Sequence, residues 1–264
     1  MHKLYIYLSF LFFISFASCT KGDGINIFTI QDDIKLGKET KQQIEANPSE
    51  FPIMSRSAYP EQYQYIESIV RDILNTGEVK YKDEFDWEIY LIDSDVQNAF
   101  CVPGGYMYVY TGLIKYLDSK SSLAGVIGHE MAHADKRHST KLLTQKYGVQ
   151  TLLDVLLGEN QNLLTQIGAE LVSLRFSRKE EKQADEYSVI YLCPSEYHAD
   201  GAANFFDKIN NESSNQVPEF LSTHPNPENR VENIRGKAED MNCQSTIDPT
   251  VDIDGYLSFK NSLP

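Results

Sequence analysis

Residues 123–133 read Leu-Ala-Gly-Val-Ile-Gly-His-Glu-Met-Ala-His, which places His129 and His133 four residues apart with Glu130 beside the first. On a helix, that spacing leaves the two imidazoles about 6 Å apart along the axis and about 40° apart around it. Both can therefore turn toward one metal ion. Glu130 points to the side of the pair, within reach of a water at that ion, where a carboxylate serves as general base. Zinc suits these donor types, and a catalytic zinc needs a third protein ligand and one open position. The extended motif with Gly and His three and six residues after His133 is absent, because Lys136 and Ser139 stand there. His138 is near but falls off the face that His129 and His133 share. A later carboxylate remains. Asp154 and Glu159 are candidates at short spacing, Glu180, Glu181 and Asp185 at longer spacing, and spacing alone does not choose among them.

The apolar run before His129 puts the motif on a buried helix, where two His without a purpose would be costly. Around it the chain must supply a frame. Residues 32–46 show helical spacing at Ile34 and Ile44, stopped by Pro48. A second helix starts at Pro60, carries Tyr63, Ile66, Ile69, Val70 and Ile73 on one face, and ends near Gly77. Near-alternation over 85–92 and 106–110 predicts strands, with Asn98–Val102 as a short extended piece and Pro103-Gly104-Gly105 turning the chain back. From Ser119 to Cys193 the pattern is helical, with further helices near 198–210 and 227–239. The tail 244–264 reads as irregular, with Asp248, Asp252 and Asp254 clustered. There is no internal repeat and no interdomain linker, so one domain is expected.

The whole chain has 264 residues, with 24 Lys+Arg against 38 Asp+Glu and a formal charge of −14. That balance argues against nucleic acid, which requires a basic stripe. Sixteen Tyr and thirteen Phe argue equally against a disordered chain. Met1-His2-Lys3 followed by the uncharged run Leu4–Ser18 predicts a signal peptide over 1–18, too short to span a bilayer. Phe16-Ala17-Ser18-Cys19 resembles a bacterial lipobox, although Phe16 stands where Leu is usual. Cys19 is then the lipidated mature N-terminus, followed by a linker over 19–30 and a domain over 31–264. Losing Lys3 with the signal takes the charge from −14 to −15. Cys193 and Cys243 are candidates for a disulfide in an oxidising periplasm, with Cys101 left free.

Ser177-Arg178-Lys179-Glu180-Glu181-Lys182-Gln183-Ala184-Asp185 resembles the motif that follows HExxH in the HtpX-like and CAAX-prenyl-protease-like zinc metallopeptidases, peptidase family M48. Asn98-Ala99-Phe100, Pro103-Gly104-Gly105 and Thr111-Gly112-Leu113 are similar to the strand region preceding HExxH in that family. Thr223-His224-Pro225 with Arg230-Val231 is similar to its closing motif, so the resemblance spans roughly 30–240.

The resemblance implies an α+β fold: a mostly helical, gluzincin-like zincin domain with a small antiparallel sheet whose edge strand flanks the active-site helix. It implies one zinc per chain held by His129, His133 and Glu181, with Glu130 as base. Asp185 and Arg230 are expected behind the ligands, and Asn98, Ala99 and Phe100 along the edge where an extended peptide pairs. His224 is expected either as a fourth ligand or as a stabiliser of the oxyanion. The implied activity is that of a zinc-dependent endopeptidase acting on misfolded or unassembled proteins of the bacterial envelope. The alternative is a chaperone-like outer-membrane assembly factor with little or no proteolysis; a third reading gives the metal a purely structural place. Family members embedded in membranes carry several spans, so prenyl-protein processing is not expected. Export to the periplasm, with a lipid anchor on the outer membrane, completes the expectation.

Overall fold

Thr29 and Asp32 close a capping box that starts the first helix, α1 (Ile30–Glu45). Pro60, pre-set for a first helical turn, starts α2 (Pro60–Asn75). The structure is a computed structural model that describes residues 25–211, 218–225, 229–243 and 247–264. The expected signal peptide, Cys19 and the first part of the linker lie outside the described residues. Among those residues, no helix is long and apolar enough to cross a membrane.

Three strands follow: β1 (Ile89–Ile92), β2 (Ala99–Val102) and β3 (Tyr106–Tyr110), in spatial order β1-β3-β2. The Pro103–Gly105 turn folds β3 back on β2, antiparallel, with Phe100 opposite Tyr108. β1 lies on the other side of β3 and runs parallel to it, Ile89 opposite Met107. The sheet is therefore mixed, not antiparallel as expected, because β2 is the single reversal and is placed outside the β1–β3 pair. The expected strand over 85–92 is also halved. Trp87 adopts a left-handed φ of 42°, which breaks the extension, so pairing begins only at Ile89.

Both faces of the sheet are buried, and they differ. Ile89, Leu91, Ala99, Cys101, Met107 and Val109 join one core with α2 and the central helix. Tyr90, Ile92, Phe100, Tyr106, Tyr108 and Tyr110 join a second, aromatic core beneath α1 and the helices of residues 138–171. The remaining helices are α3 (Thr111–Tyr116), α4 (Lys120–Asp135), α5 (His138–Tyr147), α6 (Val149–Leu156) and α7 (Gln161–Leu171). After these come α8 (Arg178–Leu192), α9 (Gly201–Asn211), the short α10 (Phe220–Thr223), α11 (Arg230–Asp240) and α12 (Pro249–Asn261).

α4 is the axis of the fold. Ser119 caps it, and every residue from Ser121 to Asp135 is buried against β2, α8 and α9. α4 and α9 touch backbone to backbone: a Cβ on Gly125 would lie 2.1 Å from the Ala202 nitrogen, and one on Gly201 2.0 Å from the Ser121 carbonyl oxygen. The tail expected to be irregular is helical. Asp248 caps α12 through the Thr250 amide, Pro249 takes its first turn, and buried Asp252 accepts from the Ser121 amide of α4.

Candidate metal centre

His129 and His133 lie on the fully buried second half of α4, so their rings meet protein and not solvent. α8 runs beside it, joined by Ser188 Oγ donating to the Gly125 carbonyl, and presents Glu181 from its first turn. Ser177 caps α8, and Glu180 closes the capping box with the Ser177 amide. Glu180 is thereby engaged outside the centre, while Glu181, 0% exposed, faces the two histidines. Of the five carboxylates that spacing left open, Glu181 is the one gathered with His129 and His133. Asp154 and Glu159 stand elsewhere, on and just beyond α6.

His224, carried just beyond α10, completes the group: the donor atoms of His129, His133, Glu181 and His224 all lie within 4.8 Å of one another. His129 Nε2 is 3.1 Å from His133 Nε2 and 3.4 Å from His224 Nδ1. Glu181 reaches His129 Nε2 and His133 Nε2 at 3.5 Å each, and His224 Nδ1 at 3.1 Å. Four donors on a tetrahedral zinc, at bonds of about 2.0–2.1 Å, stand about 3.4 Å apart. Five of the six separations lie at 3.1–3.5 Å, close to that edge, so this donor set could hold a metal ion and fits zinc.

The groups behind the donors are also in place. Asp185 Oδ1 lies 2.9 Å from His129 Nδ1, and Arg230 Nη2 bridges Asp185 (2.7 Å) and Glu181 (3.1 Å). The Arg230 guanidinium sits 3.7 Å above the Phe206 ring. Burial opposes a charge on His129, but the Asp185 and Glu181 carboxylates outweigh it and push the imidazole up to about 9. His133 is held well below its ordinary value by burial. Burial also works against a charged Glu181; His224 and the hydrogen bonds of the histidines overcome it and hold this carboxyl well below the usual range. Glu130 goes the other way. Burial raises it, and its Oε1 has no hydrogen-bond partner among the described residues; His224 Nε2 lies 3.4 Å away. A buried, raised carboxyl beside a metal-binding cluster is suited to taking and returning a proton near neutral pH.

β2 is the edge strand against α4, and its side chains divide between the two cores. Ala99 and Cys101 face α4, whereas Phe100 stacks on Tyr108 in the aromatic core, with ring centroids 4.8 Å apart. Asn98 precedes the strand, its carbonyl accepting from the Tyr110 amide. By the antiparallel alternation, Ala99 and Cys101 then turn their own amides and carbonyls away from β3. Burial lifts the Cys101 thiol well above its ordinary range, so it stays protonated.

Sequence reading passed over His138, Gln183, Phe176 and Phe220. His138 Nδ1 lies 3.0 Å from His133 Nδ1, and its Nε2 lies 2.8 Å from Gln183 Oε1. Burial pulls this imidazole down to about 4, leaving it neutral. Phe176 stacks on His133 at 4.0 Å and Phe220 on His224 at 4.2 Å. A third His five residues past HExxH was the only signal, and helical geometry spoke against it. Cys193 and Cys243, candidates for pairing, are bonded and tie the end of α8 to the end of α11; Cys101 is free and buried.

The sequence pattern of Peptidase family M48 matches residues 60–238. The mitochondrial metalloendopeptidase OMA1 of Arabidopsis thaliana is 32% identical over 145 residues, 54% of this chain and 30% of that protein. The beta-barrel assembly-enhancing protease of Yersinia pestis is 28% identical over 213 residues, 75% of this chain and 42% of that protein. Its Escherichia coli K12 counterpart is 29% identical over 204 residues, 67% and 39%. The aligned part is less than half the length of each of these relatives.

Proposed function

The chain belongs to peptidase family M48, and on that premise we propose that it is a zinc-dependent endopeptidase of the bacterial envelope. The observation that carries this reading is the convergence of His129, His133 and Glu181 beside a buried Glu130 whose Oε1 has no hydrogen-bond partner among the described residues. When bound, zinc supplies Lewis acidity, which polarises a peptide carbonyl and makes a water more acidic. His129, His133 and Glu181 would hold it, and Asp185 and Arg230 orient His129 and Glu181. Glu130 accepts the proton of the attacking water and passes it to the leaving amine. An extended substrate pairs with the outward carbonyls and the Cys101 amide of β2, next to Asn98, Ala99 and Phe100, the Ala99 amide being already held by Asn98 Oδ1.

His224 stands between the cluster and Glu130, with Nδ1 toward the donors and Nε2 toward the base. If all four donors bound one zinc, no position would remain for a water. The described state is, on this reading, a resting one in which His224 closes the centre. The same closure favours the second reading, an assembly factor that seldom cuts.

Its substrates are read as misfolded or unassembled envelope proteins; the relatives from Yersinia pestis and Escherichia coli are beta-barrel assembly-enhancing proteases. A lipid on Cys19 places it on the periplasmic side, at the outer membrane. The test uses the purified mature protein, with zinc analysis and casein cleavage. Glu130→Gln should keep the metal and lose cleavage by about 10²–10⁴-fold. Equal cleavage by variant and wild type would sink the mechanism.

A further inference from the structure

We propose that Gln183 and His138 form a neutral hydrogen-bonded relay that sets the tautomer and orientation of His133, so that the second metal-binding imidazole is backed by an imidazole and an amide where the first is backed by a carboxylate. The inference rests on the reading of His133 as a ligand. It follows from counting protons. Gln183 Oε1 only accepts, so at 2.8 Å His138 Nε2 carries a hydrogen. His138 is buried, and its two ring nitrogens face an amide oxygen and another imidazole and no carboxylate, so it is neutral with one ring hydrogen, which leaves Nδ1 as an acceptor. That atom lies 3.0 Å from His133 Nδ1, so the hydrogen between them belongs to His133. His133 Nε2 is then left with a lone pair, and it is this atom that faces His129, at 3.1 Å, and Glu181, at 3.5 Å. Each proton along the chain has one place. The lone pair reaches the metal position without any group having to ionise.

The backbone is bent to make this contact. On a continuous helix residue 138 would lie about 140° round from His133. α4 instead ends at Asp135, and Arg137 takes a left-handed conformation with φ 60° and ψ 39° before α5 begins. That conformation is unfavourable for a residue with a side chain. Arg137 is held there by bonds from its guanidinium to Asp33, at 2.6 and 3.1 Å, and to the Thr29 carbonyl at 3.1 Å. Asp33 is itself 1% exposed on α1. The kink carries His138 back over His133, and Phe176 closes the other side of the ring, stacked at 4.0 Å and 28°. Two packed layers thus fix one imidazole.

His129 is backed differently, by Asp185 Oδ1 at 2.9 Å. A carboxylate pushes electron density through an imidazole onto the metal, and a neutral acceptor pushes less. The relay therefore positions His133 while adding no charge to a centre that already holds Glu181, Asp185 and Glu130.

The experiment measures zinc affinity by competition with a chromophoric chelator, alongside ¹⁵N NMR of the histidine rings in the zinc-free protein. His138→Ala should lower zinc affinity by about 10–100-fold, the usual effect of losing a partner behind a ligand. His138→Asn, whose amide oxygen replaces the Nδ1 acceptor, should recover most of it; Gln183→Leu should lose less than His138→Ala. In wild type the His133 ring hydrogen should sit on Nδ1. Undiminished affinity in His138→Ala, or a His133 hydrogen on Nε2, overturns the proposal. Should His138→Ala not fold, Gln183→Leu and the wild-type spectrum decide it. A wild-type protein that takes up no zinc would instead overturn the metal reading itself, a different outcome.

Discussion

The two sides of the metal centre are built by different means. On one side, His129, His133, Glu130 and Glu181 come from α4 and α8, long capped helices fixed to one another, with each of these residues at most 1% exposed. On the other, His224 follows a helix of four residues. Its segment is tied by the Phe220 amide to the Gln97 carbonyl, by the Phe176 amide to the Thr223 carbonyl, and by the stacked Phe220 ring. Arg230 and the disulfide between Cys193 and Cys243 anchor the chain beyond it. The first side is carried by two long helices packed on each other; the second is just as buried but is carried by a four-residue helix. The second is a strap laid over that core. The contrast predicts that holding a metal and uncovering it are separable, and each prediction tests that separation.

Removing a helix-borne ligand should have the largest effect. Glu181→Gln removes the anionic donor and one of the two carboxylates that Arg230 bridges. It should lower zinc affinity about a thousandfold, roughly 4 kcal/mol, measured by chelator competition. A variant that still binds zinc like wild type would mean the core side is not the binding side. The strap's anchor comes next. Cys193→Ser with Cys243→Ser opens a link spanning 50 residues and should cost roughly 2–4 kcal/mol in urea unfolding. Zinc affinity should change far less than in Glu181→Gln, because neither cysteine touches a donor. A loss of zinc as large as that of Glu181→Gln would show that the two sides are one mechanical unit.

The core side was legible in the sequence because its rules are local. Four-residue spacing on a helix puts His129 and His133 on one face, and the resemblance of the 177–185 segment singles out Glu181, which spacing alone leaves among five carboxylates. What escaped depended on chain reversals. His138 needed the left-handed turn at Arg137, which is held by Asp33 more than a hundred residues upstream. The parallel pairing of β1 and β3 is a choice of neighbour, and strand alternation does not carry it. The strand over 85–92 looked continuous because hydrophobic alternation is blind to the backbone of Trp87. The last helix, α12, lies in a tail that reads as irregular, with Asp248, Asp252 and Asp254 clustered. Asp248 is a cap and Asp252 is buried against Ser121, so two of the three acids are structural.

His224 is where the comparison is sharpest and the expected effect smallest. If the strap closes the centre by about 1.4 kcal/mol, the open form is roughly a tenth of the population, and apparent activity is reduced by that fraction. His224→Ala should then raise casein cleavage about tenfold at saturating zinc, with His129, His133 and Glu181 still holding the metal. Zinc affinity should fall less than in Glu181→Gln, because three donors from the core remain. The opposite sign is equally informative. A loss of cleavage with zinc retained would make His224 a stabiliser of the developing oxyanion, acting in the reaction and not before it. No gain, together with no cleavage by wild type, would favour the assembly-factor reading, since releasing the strap would then have uncovered a centre that does not cut. Each result assigns the strap a different place relative to the core, and only the gain makes it a latch.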